Sequence, residues 1–477
     1  MDIKHVVVLM LENRSFDSML GMLYQSDETF DGLTGIEQNT WHKPDGQAES
    51  VPVWKSPELT KAAACVPDPD PGELFTDIRM QIQGLAANGT PNPGPAAMDG
   101  FVDNYMRQNP GKPAADRATD PAAVMHYFTP DQVPVISTLA REFGVSDRWH
   151  ASAPCQTWPN RFFAHTATAN GYVNNSPTHF PYMMETVFNR LEDANQSWRV
   201  YFHDLAQCST LGRLWDNAMT HFRFFEEDFA IDAKNGTLPA YSFIEPRYFT
   251  DVLHGKMPND QHPPHDVTFG ETLIATVYNA VRSGPGWKNT LLIVTYDEHG
   301  GCYDHVVPPK ATPPGGATPD GFAFDSFGVR VPAVIISPYV PKGAKIRPPG
   351  DTPFDHTSIF ATLRKLFGLK SLTPRDQAAP DLLPALTDTL RTDCLESVGV
   401  PGIAATPAEL ARSAAQPPNG MQHGLNAAAM VLPTAGANIG AQIQRLSVTT
   451  DPTPAHTAVR SAAAEIAAHL KAFLGRL

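Results

Sequence analysis

The sequence predicts an α/β fold with a central, mostly parallel sheet, and two kinds of segment indicate it. Residues 6–11 and 291–295 are short, nearly continuous runs of apolar and β-branched side chains, which suit strands covered on both faces. Residues 270–283 have the apolar spacing of an amphipathic helix and lead into the second run, as in a strand–helix–strand crossover. With 477 residues and 42% hydrophobic content, the chain can build a large core around such a sheet.

The remaining elements are predicted in order from periodicity and turn residues. Further strands are expected at 197–202, 240–244 and 327–337, and helices at 74–85, 98–106, 133–143, 162–169, 359–367, 406–414 and 455–477. Residues 25–120 are rich in Pro and Gly turns, so we expect them to shape the rim of a pocket, with a disordered linker as the alternative.

Beyond about residue 400 the composition shifts towards Ala, Pro, Gln and Gly. We therefore divide the chain into a main domain, residues 1–395, and a partly helical C-terminal extension, residues 396–477. We expect the last helix to pack back onto the domain, and a membrane-surface or oligomer helix is the alternative.

Charge and cysteine content narrow the class of protein. Lys and Arg number 36 against 50 Asp and Glu, and the resulting net charge of −14 argues against a nucleic-acid partner. The five cysteines are scattered and form no CxxC pair, which argues against a disulfide framework or a zinc–thiolate site. No signal-peptide pattern precedes the first strand, so we expect a cytoplasmic protein or one exported without a classical leader.

Carboxylates and an amide follow both of the most apolar strands. Glu12 and Asn13 end the first strand, and Asp297 and Glu298 end the strand of the 290s, just before two glycines. Ligands gather beyond the carboxyl ends of parallel strands, and these oxygens suit Mg²⁺, Ca²⁺ or Mn²⁺. A helix cap with a solvated Glu12, and a polar strand end before a Gly turn, are the alternatives.

Two further groups of residues have side chains that are suited to catalysis or phosphate binding. Thr157 lies in a Pro-bounded turn before a helix, where a hydroxyl can act as a nucleophile, and Arg161 one turn later could reach a phosphate. A plain N-cap is the alternative for Thr157. His262 and His265 lie in a Pro-rich loop beside Asp266, where histidines can exchange protons or bind phosphate, and the two prolines between them exclude the helical HxxxH zinc motif.

Four strings together resemble the bacterial and plant non-haemolytic phospholipase C and acid phosphatase (phosphoesterase) family. They are Glu12-Asn-Arg-Ser-Phe-Asp17, Thr157-Trp-Pro-Asn-Arg161, Asn259-Asp-Gln-His-Pro-Pro-His-Asp266 and Tyr296-Asp-Glu-His-Gly-Gly-Cys-Tyr-Asp-His-Val306. They occur in the family's order and cover about residues 1–370. The resemblance implies an alkaline-phosphatase-like α/β/α sandwich and makes residues 1–395 a phosphoesterase catalytic domain. The C-terminal helical extension is not covered.

The resemblance also implies roles for individual residues. A divalent metal ion, Ca²⁺, Mg²⁺ or Mn²⁺, would be bound by Glu12, Asn13, Asp297 and Glu298. Thr157 would be the nucleophile and pass through a phospho-threonine intermediate. The catalytic residues His262, His265 and Asp266 would contact the phosphate or protonate the leaving alcohol, and Arg161, His299 and His305 would bind phosphate. The chain departs from the family pattern at Trp158, where a smaller or polar residue is expected, and at Cys302, in a slot that is often aromatic.

The implied activity is a phospholipase C that cleaves phosphatidylcholine-like lipids to diacylglycerol and a phosphorylated headgroup. A broad acid phosphatase on the same scaffold is the alternative. A sulfatase would need a Cys/Ser-x-Pro-x-Arg string, which the chain lacks, and a binding protein that only keeps the fold would be expected to lose a ligand residue. The partner is then a phospholipid or phosphate ester, with peripheral membrane contact. Five aromatic residues are expected to line the pocket rim and hold acyl chains or choline: Trp149, Trp158, Phe162, Phe163 and Tyr303.

Overall fold

The computed structural model describes residues 1–86, 89–108 and 119–429. Its strands are β1 (His5–Leu11), β2 (Gln38–His42), β3 (Ala48–Pro52), β4 (Gly144–Val145), β5 (Trp198–Phe202), β6 (Phe222–Phe224), β7 (Tyr241–Ile244), β8 (Thr290–Tyr296), β9 (Ala333–Ile336) and β10 (Ala344–Lys345). Strands β2 and β3 form a separate hairpin, and the others form one sheet in the order β10-β4-β9-β8-β1-β7-β5-β6.

The α-helices surround this sheet. They are α1 (Phe16–Leu20), α2 (Phe75–Gln83), α3 (Phe101–Arg107), α4 (Pro134–Glu142), α5 (Thr157–Thr166), α6 (Val187–Asp193), α7 (Ala218–His221), α8 (Ala230–Asn235), α9 (Val267–Ser283), α10 (Thr357–Phe367), α11 (Pro374–Ala378), α12 (Pro407–Ala415) and α13 (Gly420–Ala429). Within the described residues, none of the helices is both long and apolar enough to cross a lipid bilayer.

The centre of the sheet confirms the predicted α/β class. Strand β1 runs parallel to both neighbours, so that Val6 is aligned with Tyr241 of β7 and with Leu291 of β8. All seven residues of β8 are buried, although alternate residues point to opposite faces. Both faces of the sheet are therefore covered, which gives three layers. Helix α9 connects β7 to β8 and packs against β1 and β8.

Parallel pairing also sets where the polar strand ends lie. Strands β1, β7 and β8 point the same way, so the residues that follow them meet at one edge of the sheet. Glu12, Glu245 and Asp297 are those residues, and all three are fully buried.

Two predicted elements have the wrong bounds. The strand predicted at 327–337 forms only from Ala333, because Pro332 has no N–H for a sheet ladder. The helix predicted at 162–169 begins earlier, at Thr157, since Pro159 is tolerated in a first turn whose N–H groups have no intrahelical partner. It ends at Thr166, where Ala167 takes a left-handed conformation with φ of 56°.

The long loop-rich region and the C-terminal extension are both partly structured. The described part of residues 25–120 contains the β2–β3 hairpin and helices α2 and α3, so the disordered-linker alternative is wrong for it. In the extension, α12 matches the helix predicted at 406–414, while α13 was not predicted. The helix predicted at 455–477 lies outside the described residues, and the domain boundary at 395 stays a prediction.

Candidate active site

The loops that follow β1 and β8 lie side by side at the sheet edge. The backbone N–H of Asn13 donates to Asp297 Oδ1 at 3.0 Å. Asn13 has a φ of 52° and Gly300 a φ of 60°. A side chain at Gly300 would place its Cβ 2.3 Å from the Asn13 carbonyl oxygen, so only glycine lets the two loops come this close.

Thr157 lies against the first of these loops. Its hydroxyl oxygen is 3.4 Å from Glu12 Oε2 and 3.3 Å from Asn13 Oδ1, and the residue is fully buried as the first residue of α5. The structure therefore brings the predicted nucleophile together with the predicted metal ligands. We call Glu12, Asn13, Thr157, Arg161, Asp297 and Glu298 the Thr157 cluster.

Arg161 is the positive charge of this cluster. Its Nε and Nη2 atoms donate to Glu12 Oε1 at 2.9 and 2.5 Å, and Nε lies 3.4 Å from Asp297 Oδ2. Its Nη1 atom is 3.8 Å from Glu245 Oε2 and makes no hydrogen bond. The guanidinium thus holds strand-end carboxylates together, and contact with a phosphate stays a prediction.

The two loop histidines make different contacts. His262 Nε2 lies 3.0 Å from Asn13 Nδ2, next to the Thr157 cluster. His265 Nδ1 is 2.6 Å from Asp260 Oδ1, an oxygen that also accepts the backbone N–H of His262. Asp266 instead accepts the backbone N–H of Thr268 at 2.9 Å and caps α9. The structure therefore gives Asp266 a role in fixing the histidine loop.

His299 and His305 make no contact with Thr157 among the described residues, although His299 Nδ1 lies 3.2 Å from Glu298 Oε2 of the Thr157 cluster. His299 Nε2 is 2.7 Å from Gln81 Oε1, and burial lowers the pKa of this histidine to about 3. His305 Nδ1 is 2.6 Å from Asp17 Oδ2, and its Nε2 is 3.1 Å from Asp31 Oδ1. Phosphate binding by these two histidines stays a prediction without a supporting contact.

Two acidic residues of the site were not predicted. Asn13 Nδ2 donates to Glu73 Oε2 at 2.5 Å, and Glu73 comes from the Pro-rich stretch before α2, where no pattern marks it. Glu245 accepts from the Gln207 and Cys208 backbone N–H groups at 2.8 and 3.0 Å and lies beside Arg161. The signal for Glu245 was available, because it follows a buried strand just as Glu12 does.

Burial and crowding raise carboxyl pKa values here. The pKa of Glu12 lies well above its ordinary value because of burial and the nearby Asp297, which Arg161 only partly offsets. The pKa of Glu298 is raised by burial, Glu73 and Asp297. For His262, burial alone would lower the pKa, but nearby carboxylates, Glu73 among them, raise it well above its ordinary value. The site thus has more negative charge than its cations neutralise.

The donor set of the Thr157 cluster fits a divalent cation. Asp297 Oδ2 is buried and accepts no hydrogen bond from the described residues, although a buried carboxylate oxygen without a hydrogen bond is costly. Glu12 Oε2 and Asn13 Oδ1 both lie within 3.4 Å of the Thr157 hydroxyl oxygen. These are hard oxygen ligands, which Mg²⁺, Ca²⁺ and Mn²⁺ prefer.

A second acidic group lies in the loops just beyond the site, and we call Asp17, Asp304, His305 and Arg330 the Arg330 cluster. One ligand atom from each of Asp17, Asp304 and His305 lies within 4.8 Å of the others, which is the spacing of a metal site. However, Arg330 donates to Asp17 Oδ1 at 2.9 Å and to Asp304 Oδ1 at 3.0 Å. The buried guanidinium already supplies the positive charge, so the Thr157 cluster is the better metal site.

The five aromatic residues predicted at the pocket rim belong to the interior instead. Trp149, Trp158, Phe162 and Phe163 are each at most 1% exposed, and Tyr303 is 7% exposed. Their apolar area is used in packing, which removes them as contacts for acyl chains or choline. Trp158, the departure from the family pattern, contacts helix α13: its Nε1 lies 3.1 Å from the Met421 sulfur.

Comparison with known proteins assigns the class. Residues 3–370 match the Phosphoesterase family, to which this chain belongs. As a member it is a phosphoric ester hydrolase.

The chain is 40% identical over 420 residues to non-specific phospholipase C1 of Arabidopsis thaliana, covering 83% of this chain and 73% of the relative. It is 29% identical to phospholipase C A of Mycobacterium tuberculosis over 418 residues, covering 77% and 73%. A solved Vibrio parahaemolyticus protein of the alkaline phosphatase superfamily overlaps 52% of this chain and 64% of its own, with TM-score 0.29 and 13% identity. The fold assignment depends on the sheet and the family match, not on this partial overlap.

Proposed function

We propose that this protein is a metal-dependent phospholipase C that releases diacylglycerol and a phosphorylated headgroup through a phospho-threonine intermediate. The observation that carries the proposal is the position of the buried Thr157 hydroxyl, 3.4 and 3.3 Å from oxygens of Glu12 and Asn13. The phospholipase C names of the similar plant and mycobacterial proteins support the substrate class.

In the proposed reaction, Thr157 has already lost its hydroxyl proton to solvent, its alkoxide Oγ1 attacks the phosphorus atom, and the bond from phosphorus to the glycerol oxygen breaks. Protonated His262 gives its proton to the leaving alkoxide, which departs as diacylglycerol. Water then attacks the phospho-threonine and gives one proton to His262, while the bond from phosphorus to Oγ1 breaks and Thr157 leaves as its alkoxide. The carboxylates around His262 favour its protonated form for the first step.

A threonine hydroxyl is nearly inert at its ordinary pKa, so Thr157 needs activation. Glu12, Asn13, Asp297 and Glu298 would hold a divalent ion, and Glu298 Oε1 also accepts a hydrogen bond from Asn13 Nδ2 at 3.0 Å. When bound, the ion would lower the hydroxyl pKa and neutralise charge on the phosphate. Arg161 holds Glu12 and Asp297 next to each other, with its Nε atom 2.9 Å from Glu12 Oε1 and 3.4 Å from Asp297 Oδ2.

We further propose that the turn at 251–256 contacts the lipid surface. Val252 and Leu253 are 52% and 93% exposed at the tip of a turn that the Asp251–Lys256 pairing closes. This turn belongs to the connection between Glu245 and His262, two residues at the edge of the sheet that carries the site. Adjacent exposed apolar side chains are suited to enter a lipid interface.

The substitution Leu253→Ser tests this contact. It should reduce hydrolysis of vesicle lipid while hydrolysis of a soluble ester is retained, and an equal effect on both substrates would reject the contact. Ile231→Ser, at another exposed apolar position, is the control.

The experiment that tests the function compares phosphatidylcholine vesicles with p-nitrophenyl phosphate, for wild type and Thr157→Ala, with and without a chelator. Diacylglycerol release that both the substitution and the chelator abolish is the expected result. Hydrolysis of the monoester alone would instead favour a phosphatase. Activity that survives Thr157→Ala would reject Thr157 as the nucleophile.

A further inference from the structure

Glu73 connects three parts of the proposed site. Its Oε2 accepts from Asn13 Nδ2 at 2.5 Å and lies 3.5 Å from His262 Nε2. Its Oε1 accepts from the side-chain amide of Gln156, the residue just before Thr157, at 2.9 Å. Glu73 is 7% exposed, so water does not compete strongly for these contacts.

The contacts of the Asn13 amide nitrogen favour one orientation of the amide. Its nitrogen is 2.5 Å from Glu73 Oε2 and 3.0 Å from both Glu298 Oε1 and His262 Nε2, and the ionised Glu73 carboxylate only accepts hydrogen bonds. The amide oxygen therefore points the other way, towards the Thr157 hydroxyl at 3.3 Å. Glu73 makes the shortest of the contacts that favour this orientation.

We infer that Glu73 is a positioning residue that fixes the Asn13 amide oxygen towards Thr157 and the metal ion. It does so while holding Gln156 at the start of α5, so one carboxylate aligns the nucleophile and a metal ligand. This inference rests on the proposed function, because it assigns Asn13 as a ligand. Outer-shell groups of this kind orient ligands, and their loss typically costs about 10–100-fold in metal affinity.

The first residue of helix α13 packs closely against the Glu73 side chain. Gly420, its first residue, lies so close that an added Cβ would be 2.3 Å from Glu73 Oε1 and 2.9 Å from Gln156 Nε2. The substitution Gly420→Ala therefore displaces the Glu73 carboxylate without changing its chemistry. Gly402→Ala is the matched control, because a Cβ at Gly402 would meet nothing within 4 Å.

The substitution Glu73→Gln changes the hydrogen bonding but not the size of the side chain. Both Glu73 oxygens accept from an amide N–H₂ group, so a glutamine amide must turn a donor towards either Asn13 or Gln156. The exchange Glu73→Gln with Gln156→Glu removes this conflict. The amide introduced at position 73 can then donate to the carboxylate introduced at position 156 and accept from Asn13, while the net charge stays unchanged.

The test measures Mn²⁺ affinity by calorimetry on chelator-stripped protein, together with kcat and KM on p-nitrophenyl phosphate. We expect Glu73→Gln to bind Mn²⁺ about 10–100-fold more weakly. We also expect kcat to fall by a larger factor than KM changes. Gly420→Ala should weaken binding in the same direction, and the double exchange should restore it. Glu58→Gln, at an exposed position, is the control for loss of a charge.

Two results would overturn the inference while leaving the proposed function standing. One is wild-type Mn²⁺ affinity in both Glu73→Gln and Gly420→Ala. The other is a double exchange that binds as weakly as Glu73→Gln, since it would mean that the charge at Glu73 matters and the amide orientation does not. Absence of Mn²⁺ binding by the wild-type protein would overturn both proposals. If Glu73→Gln does not fold, Gly420→Ala alone decides between these results.

Discussion

The Thr157 cluster and the Arg330 cluster both take their carboxylates from the segments after β1 and β8, yet their charges are balanced differently. In the Arg330 cluster, Arg330 donates to both Asp17 and Asp304, and its Nη1 donates to the Asp31 carbonyl oxygen at 2.7 Å. In the Thr157 cluster, Asp297 Oδ2 accepts no hydrogen bond within the described part of the chain. Arg161 lies among three carboxylates there and satisfies only Glu12 well.

This difference separates a region whose carboxylates are paired as folded from one in which the proposed metal ion would offset the remaining negative charge. The Arg330 cluster joins the two loops: the Asp17 backbone N–H donates to Asp304, and the His305 backbone N–H donates to Asp17. The neighbouring Thr157 cluster keeps an excess of buried negative charge, a cost to stability that function explains. Substitutions in the two clusters should therefore have opposite effects on stability and activity.

The largest effect is expected for Thr157→Ala, which removes the proposed nucleophile. Activity should fall by at least about 10³-fold, because loss of a nucleophile removes the covalent route. Stability should change little, since the hydroxyl has only long contacts, at 3.3 and 3.4 Å. Initial rates and urea denaturation measure the two effects. Thr157→Ser, which keeps a hydroxyl, should retain activity, and an inactive Thr157→Ser would count against the hydroxyl as the reacting group.

The opposite pattern is expected for Arg330→Met. It leaves Asp17 and Asp304 buried without their cation, which costs about 3–5 kcal/mol of unfolding free energy. Urea denaturation measures this loss. The control is Arg213→Met, because Arg213 and its partner Glu185 are 44% and 40% exposed, and such a surface pair contributes about 1 kcal/mol or less. Equal losses in the two variants would contradict the view that the Arg330 cluster stabilises the loops.

Much of the Thr157 cluster can be predicted from the sequence, because the geometry of a parallel sheet determines where the residues after its strands lie. Parallel neighbouring strands such as β1 and β8 must bring the residues that follow them to one edge. That argument places Glu12 beside Asp297, and the same argument would have found Glu245 after β7. Thr157 could be placed with them only through the family resemblance, since nothing in its own turn indicates a distant partner.

The positions of the other site residues depend on loop conformation, which the periodicity of the sequence does not predict. Glu73 is 60 residues from Asn13 in the chain. His305 belongs to the same family string, residues 296–306, as Asp297 and Glu298, but the chain turns at Gly300 and Gly301, both with positive φ. As a result its ring contacts Asp17.

A smaller effect is expected for Glu12→Gln, which tests whether excess charge destabilises the metal-free site. Glutamine can still accept from Arg161 through Oε1 while relieving repulsion with Asp297. Without metal, the variant should be as stable as wild type or up to about 1 kcal/mol more stable. With Mn²⁺ at about 100 times its Kd, wild type should gain about 2.7 kcal/mol and the variant less. Urea denaturation with Mn²⁺ or chelator measures both. An equal gain in the two proteins would exclude Glu12 as a ligand.

The smallest effect concerns the pH dependence of stability in the Arg330 cluster. Burial alone would lower the pKa of His305, but hydrogen bonds to Asp17 and Asp31 raise it to about 10. Because the folded-state pKa lies above the ordinary value of about 6.5, the stabilisation is fully present below pH 6.5 and is lost as pH rises towards 10. His305→Gln keeps a donor to Asp17 but cannot titrate. Wild type should therefore lose about 1–3 kcal/mol more than the variant between those limits, a value reduced for partial exposure. Urea denaturation at several pH values checks this, and parallel pH profiles would mean that a neutral His305 holds Asp17 equally well.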